Sequence, residues 1–203
     1  MYRDKLFYNA TMKKVSFFVA LILLVTFPST LFAANVQFLV LGFGTTWTAP
    51  TDWSSINRIQ VIGAGGGGDA ANNAGSGGGG GGAYAEVANV TGIDPSEAIT
   101  VQIGDGGAVG AGAGGNGTDS FFNRISGSAT FCNQVDFSVC AKGGIGGNGT
   151  VGGEGGTTTS SFGTIEYDGG TGGAGEGGDN SGGAGGAAGP YGNGRNGGAA
   201  VAS

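Results

Sequence analysis

The sequence predicts an all-β protein: β-sandwich-like strands in the N-terminal part, combined with polyglycine-II helices and glycine-rich loops, behind an N-terminal signal helix. Three observations lead there. Outside the leader no window of about 12 residues carries helical periodicity. Several short stretches alternate apolar and polar residues and are rich in β-branched and aromatic side chains. The 50 glycines of the 203-residue chain fall largely on a three-residue period.

The leader comes first in the chain. Met12-Lys-Lys, the thirteen mostly apolar residues "VSFFVALILLVTF" and then "PSTLFAAN" form the basic, apolar and small-residue parts of a secretory signal. This predicts a signal peptide over residues 1–33, with Met12 as a second candidate start and cleavage after Ala33 or Ala34. The apolar run is shorter than the roughly 20 residues a span requires, so no stable membrane span is expected after cleavage. Residues 34–203 hold all 50 glycines and keep 4 basic against 13 acidic residues, a net charge of −9. Such a chain repels nucleic acid and anionic lipid. A secreted or cell-surface location is expected, with the periplasm as the other exported compartment.

Residues 34–142 read as the β-rich part. "VQFLVLGFG" (36–44) and "INRIQVIG" (56–63) are expected strands, joined by the Pro-containing turn "TAPTDW". "AYAEVANV" (83–90) and "AITVQIG" (98–104) follow, separated by "TGIDPSE". "SATFCNQVDFSVCA" (128–141) reads as a hairpin whose Cys132 and Cys140 pair most simply with each other in an oxidising compartment; two reduced thiols are the alternative.

From residue 143 the chain parses in triplets. Glycine recurs at 143, 146, 149, 152 and 155, and again at 183, 186, 189, 192 and 198, with Arg195 interrupting. Three residues per turn is the repeat of the polyproline-II helix, which has no internal hydrogen bonds and must find partners outside itself. Ile145, Asn148, Val151, Glu154 and Thr157 would line the remaining edge. Collagen is excluded, since the chain has four prolines. A disordered glycine linker is the competing reading, because glycine loses the most backbone entropy on ordering.

Two motifs invite chemistry. "RIQVIGAGGGG" (58–68) satisfies G-x-G-x-x-G, but the fingerprint needs a helix after its last glycine, and "DAANNAGSGGGGGG" cannot form one. No nucleotide or other cofactor is expected. "GGNGTDSFF" (114–122) matches one calcium-binding nonapeptide, making Asp119 a weak calcium candidate, yet such sites need stacked copies. "GGTTTSSFG" (155–163) echoes it with Ser160 in place of the acid. Both stretches are better read as glycine helices entering strands whose Phe121 or Phe122, and Phe162, anchor the core. The chain has no His and no phosphate-binding G-K-[ST], so a non-enzymatic protein is expected.

The order of these residues is similar to the glycine-rich domain of phage tail-fibre adhesins and bacterial surface proteins. Trp47, Pro50, Ile59–Gly68, Gly81–Glu86, Thr100–Gly107 and the closing "GGAGGAAGPYGNGRNGG" (182–198) carry the resemblance. It implies polyglycine-II helices packed beside a β-sandwich, with connecting loops that bind a surface glycan or protein receptor, and no catalytic residue. The chain departs from that family in having a leader and in ending at "GGAAVAS" rather than in an apolar closing strand. The expected function is an exported, adhesin-like or structural module. Its loops 69–76, 164–168 and 189–196 would supply contacts, with Tyr167, Tyr191 and Arg195 as the candidate contact residues. Self-association as a matrix protein is the alternative. Ice binding is less favoured because the edge residues are irregular.

Overall fold

The computed structural model describes residues 45–70, 75–123, 132, 139–177 and 180–201. The expected signal helix, the expected strand at 36–44 and most of the expected hairpin at 128–141 lie outside them. The described residues all fall in one compact unit.

Seven short strands are present among these residues: β1 (Thr45–Thr48), β2 (Arg58–Ile62), β3 (Tyr84–Ala88), β4 (Ala98–Gln102), β5 (Ser120–Asn123), β6 (Val139–Ala141) and β7 (Ile165–Tyr167). They form a four-stranded sheet in the order β1-β4-β5-β6 and a three-stranded sheet in the order β2-β3-β7. Every pairing is antiparallel. The two sheets meet where β2 and β3 lie against β5 and β6. Tyr84, Ile99, Phe121, Val139 and Cys140 are fully buried. Each large apolar side chain so buried stabilises the fold by about 1.5–3 kcal/mol. Trp47 stands edge-on to Trp53 and tilts against Phe122, closing one side of the core. Cys132 and Cys140 form a disulfide, with the Cys140 half in β6.

Two expectations are corrected. Residues 165–167, expected within a loop, form β7 at the edge of the smaller sheet. A three-residue strand is too short to display alternation, and its partner β3 lies some eighty residues earlier in the chain. Phe121 and Phe122 are core residues, but Phe162 is 47% exposed. Phe162 is held through its backbone, which exchanges two 2.8 Å hydrogen bonds with Cys140.

The glycine-rich segments continue directly from these strands, and their backbone groups pair segment to segment. Gly63, Gly66 and Asp69 donate to the carbonyls of Ala83, Gly80 and Gly77, three residues apart on each side and running in opposite directions. Gly144 and Gly147 donate to Ala64 and Gly67, and Gly153 and Gly156 to Gly78 and Gly81, now running in the same direction. Gly182, Gly185 and Ala188 donate to Ser76, Gly79 and Gly82 with the same spacing. The 75–83 segment is thus bonded on several sides, and Gly77 through Gly82 are all buried.

That position explains the six-glycine run. A methyl group on Gly77 or Gly80 would stand 2.0 or 1.9 Å from the carbonyl oxygens of Val151 and Glu154. On Gly78 or Gly81 it would meet Gly183 and Gly186, and on Gly79 or Gly82 it would meet Gly66 and Gly63. Three rows, repeating every third residue, face three different neighbours, so no side chain fits on any of them. In the outer segments one row is open. Ile145, Asn148, Val151 and Glu154 occupy it and are exposed, while Thr157 is half-buried.

Candidate functional site at the outer edge of the glycine array

Residues 180–200 fold back on themselves at Gly189 and Gly192, whose backbones exchange hydrogen bonds of 3.1 and 3.2 Å. Gly192 adopts φ of 147°, which a side-chain-bearing residue rarely reaches. Pro190 and Tyr191 form the tip, and Tyr191 is 99% exposed. Beyond the turn, Gly194, Gly197 and Ala200 each donate at 2.8 Å to the carbonyls of Asp168, Thr171 and Ala174. The carbonyls of Arg195 and Gly198 accept from Gly186 and Gly183 at 2.7 and 2.8 Å. This leaves Arg195, Asn196, Gly198 and Ala199 facing outward and exposed. The Arg195 side chain has no ion-pair partner among the described residues.

Two asparagines secure this edge. Asn193 Oδ1 accepts the Asp168 N–H at 3.0 Å and Asn196 Oδ1 accepts the Thr171 N–H at 2.9 Å. Asp168 and Thr171 are each gripped twice, once through the carbonyl and once through the amide. The same device recurs where Asn116 Oδ1 and Asp119 Oδ1 accept the N–H groups of Gly146 and Gly143, both at 3.0 Å. In each case two side-chain oxygens three residues apart satisfy amides that no neighbouring carbonyl reaches. Sequence reasoning missed this pairing. The signal was present as Asn or Asp at a three-residue spacing within a glycine tract.

The three candidate contact residues are placed near one end of the array, in different states. Tyr191 and Arg195 are on the exposed edge. Tyr167 immediately precedes the gripped Asp168, but it belongs to β7 and is half-buried, with its ring stacked on Tyr84 at 6.1 Å. It is a packing residue first.

Asp119 has a structural role in place of the calcium role considered for it. Its carboxylate is buried and accepts from the Cys132 N–H, the Gly143 N–H and the Lys142 ammonium, the last at 3.1 Å. Its ligand atom lies within 4.8 Å of the sulfurs of Cys132 and Cys140. Those sulfurs are joined in the disulfide and offer no thiolate, and Lys142 already neutralises the carboxylate. The donor set does not fit a cation.

A second buried polar network ties β2 to β3. Tyr84 donates its hydroxyl to Glu86 Oε2 at 2.6 Å, and Gln60 Nε2 donates to both, at 2.7 and 2.8 Å. Arg58 pairs with the other carboxylate oxygen at 3.1 Å. The Tyr84 hydrogen bond, followed by that from Gln60, holds the Glu86 carboxyl below its ordinary value despite burial. Burial, with Glu86 beside it, pushes the Tyr84 phenol well above its own. All these groups are satisfied by one another, which suits a structural clasp.

Among the described residues no helix is long and apolar enough to cross a membrane. No curated protein matches the chain. Residues 41–203 match the glycine-rich domain family, and the chain belongs to it.

Proposed function

We propose that the protein is an exported, non-enzymatic surface or extracellular module. It presents a contact edge on a scaffold of polyglycine-II helices, and the partner is a surface glycan or protein. The observation that carries this reading is the ladder of backbone hydrogen bonds at three-residue spacing between glycine segments, which is the pairing polyglycine-II helices require. The scaffold leaves Tyr191 and Arg195 exposed at one edge, a residue pair suited to broad contact and forked hydrogen bonding. The basic guanidinium on an acidic chain favours a partner with an acidic sugar or carboxylate at the point of contact. The chain's acidity disfavours nucleic acid.

The test has two steps. Amide hydrogen exchange should be slow at Gly77, Gly78, Gly80 and Gly81, whose N–H groups point into the array, and fast at the outward residues 196 and 199. Exchange at random-coil rates throughout 75–83 would overturn the scaffold. The purified protein is then screened against a surface-glycan array and against cells, beside a Tyr191→Ala/Arg195→Ala double variant. Loss of binding in the variant with unchanged thermal stability supports the contact edge; undiminished binding places it elsewhere.

A second reading is self-association through the same edge, favoured by the open surface at Gly198, where a methyl group would meet nothing within 4 Å. Concentration-dependent sedimentation distinguishes it, since a monomer at all concentrations removes it.

A further inference from the structure

Asp69 is 5% exposed, and neither of its carboxylate oxygens has a hydrogen-bond partner. It contrasts with Glu86 and Asp119, the other buried acids among the described residues, which are surrounded by donors. A buried, uncompensated carboxylate is among the most unfavourable groups a fold can carry. Among the described residues no cationic side chain is at hand. Lys142 pairs with Asp119, Arg58 pairs with Glu86, and Arg195 lies on the outer edge. The adjacent backbone amides are engaged as well: Asp69 N–H donates to Gly77 at 3.1 Å and Ala70 N–H to Gly110 at 2.8 Å.

The period of the array says what the side chain faces. Gly63 and Gly66 occupy the same row as Asp69, and methyl groups on them would point at the carbonyl oxygens of Lys142 and Ile145, each at 2.1 Å. Continued by three residues on each side, the same register sets Asp69 opposite Asn148. There the neighbouring segment turns away, with Asn148 and Val151 bonded to each other and Gly149 at φ of 56°. The period thus sets a turn, rather than another straight glycine segment, opposite Asp69, where a side chain is tolerated and backbone carbonyls are the groups at hand.

A buried carboxylate with no donor, set by the register opposite a backbone turn, is the ligand chemistry of a hard cation. We propose that Asp69 anchors a calcium-class cation between the glycine segments, with backbone carbonyls of the 148–149 turn and water completing the shell. A site with a single formal charge belongs to the weak range of extracellular modules, with Kd roughly 10⁻⁴–10⁻³ M. It would pin the far end of the array as the disulfide and Asp119 pin the end beside β6.

The test compares thermal melting of the purified protein in chelator and in about 10 mM calcium, with direct calcium binding measured by equilibrium dialysis. The expected rise in Tm is roughly 3–10 °C for a site of that affinity, with one ion bound per chain. Asp69→Asn and Asp69→Gly should bind none at this site and show no rise. In chelator Asp69→Asn should melt no lower than the unaltered protein, because it removes an unpaired buried charge. A purely structural aspartate would give the opposite result. The proposal is overturned if calcium neither binds nor stabilises the unaltered protein, or if either variant keeps the full rise. If both variants fail to fold, the stoichiometry and melting shift of the unaltered protein decide it.

Discussion

Glu86 keeps its charge inside the sheet because three donors reach it, and this makes it a sensor of acid. Its carboxyl releases its proton more readily in the folded than in the unfolded chain. The stability it contributes is therefore complete above the ordinary carboxylate range and is lost as pH falls through its lowered folded value. Glu166 acts in the other direction: burial, and then the nearby Asp168, raises its carboxyl, so its contribution is present at low pH and fades as pH rises. We expect Glu86→Gln to lower stability by about 1–3 kcal/mol near neutral pH, the range for hydrogen bonds to a charged group, and to flatten the acid limb of a pH-stability curve. Glu166→Gln should leave neutral-pH stability unchanged or raise it. Arg58→Ala should change little, since its guanidinium side chain is 67% exposed. Denaturant melts across pH separate the three.

At the scale of the element, the glycine segments obey a rule that depends on position in the array rather than on composition. Gly79→Ala would place a methyl group 2.0 Å from the Gly66 carbonyl oxygen, and we expect it to destabilise by about 3 kcal/mol or more, at the upper end of overpacking. Gly198→Ala meets nothing and should be neutral or stabilising by up to about 1 kcal/mol through the unfolded chain. Equal effects of the two in a thermal melt would contradict the packing described.

These segments also show what was legible. The strands at 58–62, 84–88 and 98–102 could be read because each sets apolar, largely β-branched or aromatic residues about a central polar one, although burial alternates throughout only along 58–62. The triplet spacing announced which residues would face outward between 143 and 157. The six-glycine run could not be ranked as the most enclosed segment, because burial there depends on neighbours far along the chain. Phe162 misled for the same reason: an apolar residue after glycines resembled Phe121, but only the latter sits in a strand paired on both edges. Of the proposed contact residues, Tyr191 and Arg195 could be read as exposed from their turn-forming surroundings, whereas the stacking of Tyr167 on Tyr84 needs the pairing of β3 with β7.

Over the whole molecule, two kinds of interior are joined end to end: a small conventional core between sheets, and an array whose interior is almost entirely peptide backbone. The disulfide fastens the first kind. Its reduction should lower stability by about 2–3 kcal/mol, as closure of a short loop predicts, and should leave slow exchange in the 75–83 segment largely intact, as mass spectrometry of exchanged peptides would report.

The enclosed run from Gly77 to Gly82 carries a consequence for heat. Unfolding a segment without side chains hydrates amide groups and little hydrocarbon, and polar hydration lowers the heat capacity that apolar hydration raises. The change in heat capacity on unfolding should therefore fall below the usual ~12–15 cal/mol/K per residue. Scanning calorimetry would register this as a broad, shallow stability curve. A protein built in this way holds its shape through cooling that weakens oil-like cores, because its interior was never chiefly oil.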